Sequence, residues 1–194
     1  MSYDLYFHKP KTGGPSESQI ANYLSENLVP VNKKSGQWFF QNADTEVYYF
    51  FELEAPGDDP SEEPTDEEFE GFENTHIAFN LNFMRPSFFG LEAFLFVEKF
   101  ITDLNLFVVD PQSDKDDPYK PTKEVLFERW NKTNLWASKE HFKKGDTGYL
   151  PMEVSNQFWE YNFNRNKWQA ELGQDYFVPR VFFLKTRPTT RSLP

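Results

Sequence analysis

The residues best equipped for chemistry are carboxylates. Eleven acids lie between Glu52 and Glu73, and no Lys or Arg interrupts them. Asp58, Asp59, Glu62, Glu63, Asp66, Glu67, Glu68 and Glu70 form the densest part, with Pro60 and Pro64 among them, so the run reads as an extended, exposed loop. Such a loop has three uses. It can remain solvated, it can steer a basic protein partner by long-range attraction, or it can supply oxygens to a divalent cation. The third use needs a folded loop with a Gly at its sharp turn. Here Gly57 and Gly71 only bracket the acids, so no metal site is assigned.

A second constellation is polar and shallow. His76 and Arg85 flank a stretch in which Asn80 and Asn82 share one face, a set that could line a pocket for a small anion or sugar. Trp130, Trp136, Trp159 and Trp168 could form a carbohydrate platform or a partner hot spot. Trp130 and Trp168 fall on apolar helical stripes and are read as core, whereas Trp159 falls off its stripe and is the surface candidate. Glu153, Glu160 and Glu171 show no spacing that would pair two carboxyls across a glycosidic bond.

Several chemistries are missing. The chain has no Cys, hence no disulfide framework and no thiolate nucleophile or ligand. No Walker, dinucleotide-binding or nucleophile-elbow motif occurs, and its nine glycines leave little material for phosphate-cradling loops. No cofactor is therefore expected. The formal charge of −11 disfavours nucleic acid as a partner, yet all of that excess lies in the acidic run and the remaining chain is formally neutral. The start of the chain lacks a basic segment followed by an apolar one, and the apolar-rich residues 88–106 are broken by charges. The expected location is cytoplasmic, without a membrane partner.

These groups must be positioned by a core, and the aromatic content supplies one. Hydrophobic residues reach only 38%, but 19% of the chain is Phe, Tyr or Trp, which argues for a folded protein. Tyr3 to Phe7 reads as a strand. Ser16 and Gln19 have capping-box spacing before Ile20, Tyr23, Leu24 and Leu28, with Pro30 limiting the helix. Strands are expected at residues 37–41 and 46–54 around an Asn42–Thr45 turn. In residues 76–83 every second position is large and apolar, the pattern of a half-buried strand. Ser87 is placed to cap the following helix, and residues 106–109 form a further strand.

The first 110 residues thus read β-α-β-β-β-α-β, an α+β fold expected as a two-layer sandwich with a mainly antiparallel sheet, ferredoxin-like or related. Residues 111–184 read as a mainly helical elaboration on the same core and 185–194 as a tail, giving one domain over 1–194. Thr122 caps one of the later helices; the other starts near Pro151, carries Val154, Phe158, Tyr161, Trp168 and Leu172 on one stripe, and ends at Gly173. The functional expectation is a non-catalytic protein-binding module, such as an acidic immunity-type inhibitor of a basic toxin or nuclease. A carboxylate-based hydrolase and a carbohydrate or small-ligand binder are the alternatives.

Overall fold

The computed structural model describes residues 1–32, 36–54, 69–115, 117–144 and 150–183. Its elements run β1 (Ser2–Pro10), α1 (Glu17–Asn27), β2 (Val29–Asn32), β3 (Gln37–Gln41), β4 (Tyr48–Leu53), β5 (Phe72–Asn82), α2 (Phe88–Asp103), β6 (Phe107–Val109), α3 (Lys123–His141) and α4 (Met152–Leu172). The α+β composition expected from the sequence holds. Six strands form one sheet in the order β2-β3-β4-β5-β1-β6, and every pairing is antiparallel. Helix α2 joins β5 to β6, with β1 lying between those two strands, so this half has a split β-α-β connection. None of the described helices is long and apolar enough to cross a membrane.

The alternation read in the sequence decides which face of the sheet is covered. Tyr3, Leu5 and Phe7 of β1, Tyr49 and Phe51 of β4, and Ile77, Phe79 and Leu81 of β5 are buried in one cluster with Ile20 and Leu24 of α1 and Phe94, Val97 and Phe100 of α2. Each fully buried apolar side chain of this size contributes about 1.5–3 kcal/mol relative to exposure. Trp130 of α3 joins the same cluster and is fully buried. Its ring lies so close to α2 that a Cβ at Gly90 would come within 2.6 Å of it, which is why that helical position carries no side chain.

Helix starts follow local chemistry. Gln19 donates its backbone N–H to Ser16 Oγ, and Ser16 donates its own to Gln19 Oε1 at 2.8 Å, which completes the capping box. Thr122 caps α3 through the N–H of Val125.

Four local expectations change. Residues 29–32 are not merely the end of a helix: they form β2, an edge strand where Pro30 needs no ladder donor. Ser87 precedes α2 but makes no side-chain cap bond, because its hydroxyl donates to Asn156 Oδ1 instead. Helix α3, which the sequence carries only toward Trp136, runs on to His141. The buried positions of α4 are Ser155 and Asn162, not the apolar stripe. That stripe receives the extended segment 174–183: Phe158 stacks on Phe183 at 4.1 Å, and Tyr161 donates to the carbonyl of Pro179.

Candidate functional site

The uncovered face of the sheet is built by the alternate residues of the core strands. Register aligns Phe39, Phe50, Asn80 and Asp4 in one row across β3, β4, β5 and β1, and Gln37, Glu52, Ala78 and Tyr6 in the next. Side chains bridge along these rows. Asn80 Nδ2 donates to Asp4 Oδ1 at 2.6 Å, Gln37 Nε2 donates to Glu52 Oε2 at 3.1 Å, and the rings of Phe39 and Phe50 lie 4.9 Å apart. Both halves of the surface, acidic and aromatic, are thereby held in place.

Charge concentrates at the β4 end of this face. Burial pushes the carboxyl of Glu54 above its ordinary range, Glu52 and Asp4 push it further, and His76 opposes them. The hydroxyl of Tyr6 is also raised, first by burial and then by Glu54, Asp4 and Glu52. Those three carboxylates therefore act on one patch of surface.

Beside the patch opens a cleft of about 710 Å³, with Tyr6, His8, Glu54, Phe69, Asp110 and Lys115 in its lining. The ring of Phe69 meets His8 edge-on at 5.1 Å. Asp110 is fully buried and already engaged, accepting from Tyr3 Oη at 2.6 Å and from Arg129 Nη1 at 3.1 Å. Burial, followed by that carboxylate, drives the Tyr3 hydroxyl far above its usual range. Among the described residues, no group of three or more His, Asp or Glu side chains is arranged to hold a metal ion.

Glu54 and Phe69 are the described residues on either side of the acidic run. Asp58, Asp59, Glu62, Glu63, Asp66, Glu67 and Glu68 lie outside the described residues. Glu70 is exposed in the turn that enters β5, where Gly71 takes a φ of +82°.

Of the polar set, Asn80 and Asn82 lie on the uncovered face, and His76 is exposed near its β4 end. Within β5 the ladder to β1 bulges around His76, which takes a φ of +56° and donates its N–H to Asn74 Oδ1. Arg85 belongs to the loop beyond β5, where its guanidinium reaches Tyr48 Oη and lies over the rings of Tyr48 and Phe89. No hydrogen bond joins any two of these four among the described residues.

Trp159 is half-buried against the core and donates its indole N–H to Glu92 Oε2 at 2.8 Å. The exposed indole is that of Trp136, which retains 60% of its accessible surface. Sequence reasoning missed Glu92 altogether. This buried carboxylate of α2 also accepts from Asn42 Nδ2 at 2.7 Å and Thr45 Oγ1 at 2.8 Å, and burial raises its pKa while the three donors pull it back. A Glu on the apolar face of a helix, opposite an Asn-x-x-Thr turn, was the available signal.

No protein-family model, curated protein or solved structure matches the chain.

Proposed function

We propose that this chain is a non-catalytic protein-binding module that takes up a basic protein on its uncovered sheet face, in the manner of an immunity-type inhibitor. The observation behind this reading is the juxtaposition of Asp4, Glu52 and Glu54 with Tyr6, Phe39 and Phe50 on a face that no described helix covers. Acidic groups steer a cationic partner and set its register, while partly buried aromatic rings supply desolvated contact area. The stretch of sequence between Glu54 and Phe69 adds seven further acids.

The two parts have separable roles. The run governs encounter and the face governs residence, because rim charges act mainly on association and buried contacts on dissociation. A basic protein captured from the host is purified and its binding kinetics followed at several salt concentrations. Neutralising Glu62, Glu63, Asp66, Glu67, Glu68 and Glu70 together slows association about tenfold or more at low salt. Replacing Asp4, Glu52 and Glu54 by their amides accelerates dissociation. Kinetics unchanged in both variants would overturn the reading.

A carboxylate-based hydrolytic site is the second reading, supported by the raised pKa of Glu54 at the cleft. Among the described residues of the cleft lining the other carboxylate, Asp110, is already committed to Tyr3 and Arg129, whereas a glycosidase needs two available carboxyls.

A further inference from the structure

A separate groove of about 800 Å³ opens between the loop after β5, the C-terminal half of α3 and the start of α4. Its volume lies within the range of small-molecule sites. Leu135, Leu150 and Met152 line it and keep 51%, 49% and 43% of their surface exposed, so the apolar wall is open to solvent. Among the described residues of the lining, the titratable side chains are Arg85, Lys139 and Lys143, and none is an acid. In a chain of formal charge −11, this is a local inversion of sign.

The groove is also built rigidly. Asn134 of α3 is buried and clamps the backbone of Arg85 from both sides, accepting its N–H at 3.0 Å and donating to its carbonyl at 2.8 Å. The Arg85 guanidinium has no ion pair among the described residues, and its Nε is buried without a hydrogen-bond partner. Lys143 pairs with Glu140, and no other ion pair engages the three cations among the described residues. Helices α2 and α4 both begin at this groove without a side-chain cap, so their first-turn N–H groups add positive potential.

From the apolar walls and the unanswered positive charge, we propose that the groove binds a small amphiphilic carboxylate, its aliphatic or aromatic body on Leu135, Leu150 and Met152 and its headgroup toward Arg85, Lys139 and Lys143. An uncharged ligand of the same body would leave the cations unpaired, and a cationic one would be repelled.

Decanoate serves as the probe, with decanol and decylammonium as matched controls, in calorimetric titrations and amide NMR shift mapping on the full chain. Decanoate is expected to bind at least about tenfold more tightly than decylammonium. The perturbed amides should cluster at residues 84–87, 134–143 and 150–155. The double variant Lys139→Gln, Lys143→Gln touches exposed side chains only, so it keeps the fold. It should weaken decanoate about tenfold and leave decanol unchanged. Arg85→Met tests the third cation, with its circular dichroism compared to the parent. Equal affinity for the three probes, shifts centred elsewhere, or an unaltered affinity in the lysine variant would each overturn the proposal.

Discussion

Around Phe51 the rings of Phe7, Phe79, Phe96 and Phe100 have their centroids between 5.2 and 5.7 Å away. Around Glu92, by contrast, the neighbours that matter are three hydrogen-bond donors from two parts of the chain. The first environment holds the sheet to α2. The second holds α4 to both, and further polar contacts reinforce it. Arg165 donates to Asp44 Oδ1 at 2.7 and 3.0 Å, Asn166 donates to Asp44 Oδ2, and Arg180 reaches Glu46. One small turn, residues 42–46, is thus gripped from inside by α2 and from outside by α4 and the segment after it. Apolar packing tolerates pH and salt, whereas a polar clamp depends on every partner being present.

That difference can be broken deliberately. Phe51→Ala should cost about 3–5 kcal/mol and unfold the whole chain cooperatively, read as a single shift of the urea midpoint. Glu92→Ala leaves Asn42, Thr45 and Trp159 without their acceptor and should cost about 2–3 kcal/mol. Hydrogen exchange would then show α4 opening before the sheet. An equal loss of protection in β5 would contradict the contrast.

A smaller effect tests the electrostatics. The folded pKa of Glu92 is raised, so the native state retains this proton where the unfolded chain has lost it. Stability from this group is therefore full below the ordinary Glu range and falls as pH rises through the folded value. Urea titrations across about pH 4 to 7 should show this decline, and Glu92→Gln should remove it. Smallest is Asp44→Asn, which weakens the pair with Arg165 while the core is untouched; about 1 kcal/mol is expected, confined to the protection of α4.

The two environments also differ in how far the sequence announces them. The capping box at Ser16, the alternation through residues 76–83 and the broad apolar face of α2 were legible because each rests on neighbours within one element. The attachment of α4 was not. Periodicity selects the apolar stripe with Val154 and Leu172, yet Val154 is 42% exposed, and the helix buries Ser155 and Asn162, the latter bonded to the backbone of Val181 in the segment after it. Trp159 was taken as a surface ring for the same reason: its partner, Glu92, is 67 residues away. In the candidate surface, the acids and asparagines of β1, β4 and β5 were visible one by one. Their assembly into a patch needed the register. Strand β2 escaped notice because a proline after a helix reads as a stop, though an edge strand accommodates it equally well.

The two margins of the sheet carry a consequence for how any protein could engage it. On β6, Val108 exchanges both of its outward backbone hydrogen bonds with Tyr119, at 2.8 and 3.1 Å, so that margin is already occupied. On β2, the exposed Val29 and Val31 would suit strand addition by another chain, but Pro30 between them offers no N–H, and the ladder to β3 shifts register there. Both ends are thereby protected against edge-to-edge polymerisation. A visiting chain finds no open ladder to extend, and recognition through this sheet has to proceed across its face, by side chains rather than by backbone.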